Sequence, residues 1–141
     1  MRRYPSALAI ALLAGWSLIR PVHADSRLSA ESFDSGFAQA HATFNGMLAA
    51  SDGKIYYVLC AGSIDTGARM YSYDPATNRI QPIADLTEAA GEKGIKAIPQ
   101  GKSHVNFVEW QGKLYFSTHV GYYTIVNGRE TMGVPPPGYK P

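Results

Sequence analysis

Three histidines, a lysine and a serine are the residues whose chemistry can be considered first. His41, His104 and His119 are the histidines that follow position 24, and they lie 63 and 15 positions apart. Imidazole binds metals and exchanges protons near neutral pH, but these separations match no short metal-binding motif. Lys102 and Ser103 directly precede His104. We predict that this run contacts a polar or anionic ligand, with no metal and no cofactor; alternatively, His104 only satisfies backbone groups where a strand begins.

Two further candidates follow a few residues after this run. His119 precedes the pair Tyr122-Tyr123, and exposed tyrosine rings of this kind can stack on sugars. We therefore add His119 and Tyr122 to the predicted ligand-binding residues. The alternative is that these aromatic side chains pack inside the sheet.

The sequence contains no recognisable catalytic motif. It lacks a nucleotide-binding glycine loop, a serine nucleophile elbow, a His-Glu-x-x-His zinc helix and a Cys-x-x-Cys pair. Cys60 is the single cysteine and lies in an apolar run, so no internal disulfide forms, and we predict a buried thiol that acts as a small hydrophobic group. A binding role is therefore favoured over catalysis.

The N-terminal segment, positions 1–24, has the layout of a secretory signal peptide. Arg2 and Arg3 precede an apolar run over positions 7–19, and small residues end at Ala24. This run is shorter than the roughly 20 residues that cross a bilayer. We predict cleavage between Ala24 and Asp25, export to the periplasm or the exterior, and no membrane contact afterwards. A retained N-terminal anchor is the alternative.

The net charge argues against a nucleic-acid partner. The chain has 13 Lys+Arg and 11 Asp+Glu, a formal net charge of +2. Three of the arginines lie in the leader, so positions 25–141 carry ten basic and eleven acidic side chains. Nucleic-acid binding needs clustered excess positive charge on the folded part, and no such cluster is present.

An internal repeat indicates the fold class. Positions 53–57 read GKIYY and positions 112–116 read GKLYF, and Gly62 then matches Gly121 at the same offset. Each copy begins at a turn that has β-prone residues on both sides, at 47–50 and 105–108. We therefore predict two β-hairpins.

The residues after the first hairpin extend it into a four-stranded meander. Residues 69–73 alternate as a strand, 74–78 form an Asp-Pro turn, and Pro82 confines the next strand to a sheet edge. A short helix follows at 87–92, capped by Thr87 or Asp85. An Asn-Gly turn at 127–128 predicts a last hairpin, and the prolines that follow it predict a rigid loop.

Four consecutive antiparallel strands that end at an edge are typical of a propeller blade. The stretch YSYDPATNRI at 71–80, with ADL at 84–86, resembles the third strand, turn and fourth strand of kelch-type bacterial β-propellers. The resemblance implies an all-β protein with blade one at about 41–86 and an incomplete blade two from about 103. Propellers close with four to eight blades, so we expect an N-terminal fragment whose ring needs further blades or self-association.

Two classes of function remain open for residues 25–141. The first is an exported ligand-binding or scaffold module for carbohydrate or protein. The second is an exported propeller-type polysaccharide lyase or hydrolase, with His104 and Lys102 as acid and base. A quinoprotein propeller is a third hypothesis.

Overall fold

The computed structural model describes residues 28–140, and the predicted signal peptide and its cleavage site lie outside them. All of the helices and strands lie in one compact unit that begins at Ser32. None of the described helices has the length and apolar character needed to cross a membrane. The described elements are β1 (Ala40–Ala42), β2 (Met47–Ala49), β3 (Ile55–Ala61), β4 (Arg69–Asp74), β5 (Arg79–Asp85), α1 (Leu86–Ala89), β6 (Val108–Trp110), β7 (Lys113–Tyr115), β8 (Tyr123–Val126) and β9 (Arg129–Met132).

All strand pairs between these elements are antiparallel, so the all-β prediction is confirmed. The strands β1 to β5 form one sheet, here called the first sheet, with the order β1-β3-β4-β5 and with β2 also paired to β3. Both β1 and β2 lie along the same edge of β3, and residues 43–45 bulge out between them. The amide of Val58 donates to the carbonyl of Gly46 at 2.9 Å, which keeps this interrupted edge attached.

The turn and the edge strand of the first sheet follow the sequence prediction. Asp74 Oδ1 accepts from the Ala76 amide at 2.9 Å, and Asn78 adopts a left-handed conformation with φ of 53°. Pro82 lies in β5, which pairs only with β4 among the described strands. A bulge next to Pro82 accommodates its missing amide, because Tyr71 lies opposite Pro82 while Met70 lies opposite Ala84.

The first sheet packs apolar side chains on both faces. Neighbouring side chains of β4 point to opposite faces of the sheet, as the two-residue period of a strand requires, because Met70 and Tyr71 belong to different core clusters. One cluster contains Val58, Cys60, Ala68, Met70, Leu86 and Phe107, with Leu48, Tyr56, Ala84, Leu114 and Phe116 at its margin. The other contains Phe37, Ala61 and Tyr71. The first cluster joins this sheet to the hairpin β6–β7.

Two separate hairpins make up the rest of the strands. Gln111 and Gly112 connect β6 to β7, and Asn127 and Gly128 connect β8 to β9, each with two successive positive φ angles. This geometry is the two-residue turn that suits the twist of a hairpin. Both predicted hairpins are therefore present, although β6 begins only at Val108. The strands β7 and β8 do not pair with each other.

The long connection between the sheet and the hairpins is mostly exposed over 88–96 and buried over most of 98–103. Asp85 caps α1 by accepting from the amides of Thr87 and Glu88, and Gly91 follows the helix with φ of 73°. Asp85 is thus the cap, one of the two that the sequence predicted. Residues 97–103, here called the central segment, then pass between the first sheet and the later part of the chain.

Candidate ligand-binding site

The central segment is held by backbone hydrogen bonds on both of its sides. Towards the first sheet, Gln100 and Gly101 accept from the amides of Ala68 and Ala61 at 2.9 and 3.0 Å. Towards the later chain, Lys102 and His119 exchange two hydrogen bonds of 3.1 and 2.9 Å. Residues opposite each other in an antiparallel pair point to the same face. The pairing therefore directs the side chains of Lys102 and His119 to the same side of these two paired segments, where Lys102 is buried and His119 is exposed.

His104 and His119 form a stacked imidazole pair at this place. Their ring centroids are 5.2 Å apart and their planes differ by 11°. Both residues are exposed. The ring of Phe44 lies 4.2 Å from that of His104 at an angle of 53°. Phe44 reaches this position because it belongs to the bulge between β1 and β2.

The electrostatic setting of the imidazole pair disfavours a positive charge on His104. The limited burial of the ring is the main cause that lowers the pKa of His104 below its ordinary value of 6.5. The neighbouring His119 and then Lys102 lower it further. The neutral form of the ring is therefore favoured more strongly than in an ordinary histidine. An anion bound at the pair would offset the repulsion and favour protonation.

Lys102 is a buried cation without an anionic partner in the described part of the chain. The residue is 1% exposed. Its Nζ lies 3.9 Å from the centroid of the Tyr123 ring and 3.2 Å from Met132 Sδ. The ion pairs found among the described residues are His41–Glu130 and Lys93–Glu88. A thioether and an aromatic face replace only a part of the hydration that the ammonium loses.

The third histidine, His41, is not part of the imidazole pair. It contacts Tyr123, whose ring also contacts Lys102. Its ring stacks on Tyr123 with a centroid distance of 4.5 Å. Its Nε2 contacts Glu130 Oε1 at 2.7 Å, which ties β1 to β9. Within residues 28–140, no group of three or more His, Cys, Asp or Glu side chains is arranged to hold a metal ion.

Two of the predicted site residues face inward. Ser103 is buried, and its hydroxyl donates to the carbonyl of Ser117 at 3.1 Å. Tyr122 is also buried, and its hydroxyl donates to the carbonyl of Val134 at 2.5 Å. In this geometry both residues hold the backbone around the site, while Lys102, His104 and His119 come together.

Cys60 is fully buried in the core of the first sheet, so the prediction of a buried thiol is confirmed. Burial raises the pKa of the thiol above its ordinary value of 9.0, with smaller opposing effects from hydrogen bonds to the backbone of Ser103 and Phe44. A raised pKa reduces the thiolate fraction, which is the nucleophilic form. Burial and the raised pKa both disfavour Cys60 as a nucleophile.

A cleft of about 300 Å³ lies outside the imidazole pair. Most of the charged groups on its wall already have structural partners. Asp85 caps α1, Glu92 accepts from Gln100, Lys93 pairs with Glu88, and the Arg69 guanidinium lies over the Phe37 ring. Asp65 and Arg69 on this wall form no ion pair among the described residues, but both are exposed, whereas Lys102 is buried.

Sequence reasoning missed Phe44 and Met132 as parts of this site. Phe44 reaches His104 through a bulge, and Met132 reaches Lys102 across the chain; neither approach has a local sequence signal. The sequence indicates Tyr122 and Tyr123 together as a pair of aromatic residues. Only the fold shows that the ring of Tyr123, and not that of Tyr122, contacts Lys102. No family model, no curated protein and no solved structure matches the chain.

Proposed function

We propose that this chain is an exported ligand-binding module built from β-propeller blades, and that it binds acidic carbohydrate at the imidazole pair. The observation that carries the proposal is the exposed stack of His104 and His119, with Lys102 paired to His119 through the backbone and with its charge acting on His104. Export rests on the leader sequence, and the blade architecture rests on the repeat and on the meander of the first sheet.

The shape of the site supports a sugar ligand. Three rings, those of His104, His119 and Phe44, are adjacent, and none of them is buried. Flat rings give a pyranose an apolar face to stack on, while imidazole nitrogens remain free to donate to hydroxyl or carboxylate oxygens. A ligand of this kind needs no deep cavity.

The charge of the site supports an acidic sugar over a neutral one. The positive charge of Lys102 contributes to the lowered pKa of His104, so the field of the lysine reaches the exposed rings. A uronate carboxylate placed there would interact favourably with Lys102 and would stabilise the protonated form of His104. Binding of the acid therefore couples to proton uptake.

The test is titration calorimetry of the full chain with a hexuronate oligosaccharide and with a neutral oligosaccharide of the same length. We expect the acidic ligand to bind more tightly, and its affinity to rise as the pH falls below the ordinary histidine pKa of 6.5, because binding is linked to protonation of His104. Equal affinity for both ligands, or no binding of either, would contradict the proposal.

Matched variants separate charge from shape in this test. Lys102→Met keeps the length of the buried side chain and removes its charge, so it should weaken the acidic ligand selectively. Phe44→Ala removes a stacking surface and should weaken both ligands. Ile125→Ala, on the exposed strand β8, serves as the control without an expected effect. A search for cleaved or unsaturated products in the same samples distinguishes binding from lyase or hydrolase activity.

A further inference from the structure

The outer face of the hairpin β6–β7 is apolar and exposed. Val108 and Trp110 on β6 are 61% and 60% exposed, and Tyr115 on β7 is 48% exposed. Val108 lies directly opposite Tyr115 in the ladder, so these side chains point to the same side as Trp110. We call this surface the outer hairpin face. The inner face of the same hairpin, with Leu114, packs on the first sheet.

The internal repeat shows what the outer hairpin face corresponds to in the first sheet. Tyr115 of the motif GKLYF matches Tyr56 of the motif GKIYY. In the first sheet Leu48 lies opposite Tyr56, as Val108 lies opposite Tyr115 in the second hairpin. The pair Leu48–Tyr56 therefore has its structural counterpart in Val108–Tyr115.

The two equivalent pairs differ in what covers them. Leu48 and Tyr56 pack against the core cluster that also holds Phe107, with Leu114 and Phe116 of the next hairpin at its margin. In the repeat, this side of a hairpin is thus the side on which the next hairpin packs. Val108 and Tyr115 present the same side with no hairpin on it in the described part of the chain.

The other half of such a contact is also present in the chain. The inner face of β6–β7 includes the stacked rings of Phe107 and Phe116, whose centroids are 4.3 Å apart. Their counterparts in the first sheet are Met47 and Tyr57, which lie opposite each other in the β2–β3 ladder. Met47 is 49% exposed, whereas Tyr57 is half-buried, stacks on Tyr71 and packs against the cluster of Phe37, Ala61 and Tyr71. The accessible part of this face is therefore the part around Met47, and one chain carries both halves of such a contact.

We infer that the outer hairpin face binds a second copy of this chain, head to tail, through the face that contains Met47 and Tyr57. The contact repeats the packing already present between the first sheet and β6–β7, and it is heterologous, so successive copies close a ring or extend as a chain. The inference rests on the proposed blade architecture, but it does not depend on the proposed carbohydrate ligand.

Trp110 provides a direct optical test, because the chain contains only two tryptophans, Trp16 and Trp110. In the full chain with Trp16→Phe, emission reports Trp110 alone. We expect a blue shift and weaker acrylamide quenching as the protein concentration rises, together with sedimentation above the monomer mass of 15.3 kDa. An exposed Trp110 at all concentrations in a monomeric protein would overturn the inference.

Charged variants test the direction of the contact. Val108→Lys and Met47→Lys each place an ammonium in one half of the contact, and each should weaken association at least about tenfold. Each variant keeps the other half intact, so an equimolar mixture should form heterodimers but no larger species. Ile125→Lys places the same charge on β8, where the residue is 66% exposed, and should associate as the unmodified chain does.

The outcomes remain distinct from those of the carbohydrate test. If Val108→Lys and Met47→Lys associate as strongly as Ile125→Lys, the proposed contact is wrong whatever the ligand result. If association fails while the acidic oligosaccharide still binds, the ligand proposal stands and only the contact between copies is overturned. Far-UV circular dichroism of each variant checks that the exposed substitutions leave the sheet content unchanged.

Discussion

The first sheet and the two hairpins begin from the same sequence repeat but use their backbones differently. In the first sheet, the seven-residue strand β3 pairs with β4 and with both edge strands. In the hairpin region, β7 ends after three residues and does not reach β8. One copy of the repeat therefore forms a continuous sheet, and the other forms separate hairpins.

The reason for the difference lies in the residues that follow β7. His119 exchanges its hydrogen bonds with Lys102, and the Gly121 amide donates to the Pro99 carbonyl at 3.2 Å. The Tyr123 amide then donates to Gly62 at 2.9 Å. The backbone that would extend β7 is thus used to hold the central segment. In the region that carries the candidate site, the backbone after β7 therefore holds the central segment and Lys102 in place instead of extending the sheet.

The largest expected effect comes from removing the side chain that joins the two regions. Phe107 is buried in the cluster that lies between the first sheet and β6–β7. We expect Phe107→Ala to lower the free energy of unfolding by about 3–5 kcal/mol, because it leaves a cavity in a shared core. Urea denaturation measures this change.

The control for Phe107→Ala is Val126→Ala on the half-exposed strand β8, which should change stability by about 0.5 kcal/mol or less. If the two regions were energetically independent, Phe107→Ala would leave the amides of β3 and β4 as protected from exchange as before. A loss of protection in both regions supports a shared core.

The next largest effect should arise in the central segment, where Gly101 leaves no room for a side chain. A Cβ at this position would overlap the carbonyl oxygen of Gly121, a backbone atom that cannot move alone. We expect Gly101→Ala to cost about 2 kcal/mol. Amide exchange should accelerate first at His119 and Gly121 and only later in β3 and β4.

Gly62→Ala is the matched control for that substitution. Its Cβ would meet only the His41 side chain, whose ring is 3.0 Å away, and a side chain can shift by a few tenths of an ångström at a smaller cost than a backbone carbonyl, although it would strain its contacts with Tyr123 and Glu130. The loss of stability should therefore be smaller than for Gly101→Ala. Equal losses, or equal acceleration of exchange in both regions, would contradict the idea that the central segment supports the hairpin region specifically.

The sequence predicted those parts of the fold that depend on neighbouring residues. The Asp74 turn, the Asp85 cap and the Asn127-Gly128 hairpin all follow from local side-chain and backbone preferences. The prediction that Pro82 lies at a sheet edge is also confirmed, because a residue without an amide restricts pairing in any fold.

The candidate site could be predicted only in part. The sequence selected Lys102, His104 and His119, and the structure brings them together. It could not show that Lys102 is buried, because lysine is ordinarily exposed and its burial depends on Tyr123 and Met132 from distant strands. It also assigned Ser103 and Tyr122 to the ligand, whereas their hydroxyl groups bind backbone carbonyls.

A smaller effect is expected from neutralising the buried cation of the hairpin region. Lys102→Met removes an ammonium whose contacts are a ring and a thioether, so the free energy of unfolding should change by about 1 kcal/mol or less, with an increase as the expected sign. A loss of several kcal/mol would show that Lys102 has an anionic partner. Thermal unfolding at neutral pH measures the change, and Lys93→Met on the exposed Glu88 pair is the control.

The smallest effect is the pH dependence that His104 gives to the stability. Because its folded pKa lies below the ordinary 6.5, the unfolded chain takes up this proton more readily. The contribution to stability is therefore fully present above pH 6.5 and is lost as the pH falls through the folded pKa. His104→Gln should remove this part of the slope, measured by urea denaturation between about pH 7.5 and about pH 5 in steps of about half a unit.

Lys102→Met supplies the complementary measurement for His104. Since Lys102 is one cause of the lowered pKa, proton NMR should show the pKa of His104 moving back towards 6.5 in this variant, and the slope of stability against pH should become shallower. The amides of β3 and β4 should not respond, because the first sheet contains neither imidazole of the pair. If the pKa of His104 is unchanged in Lys102→Met, the charge of the lysine does not act on the imidazole pair. The electrostatic coupling by which we distinguish the hairpin region from the first sheet would then be refuted.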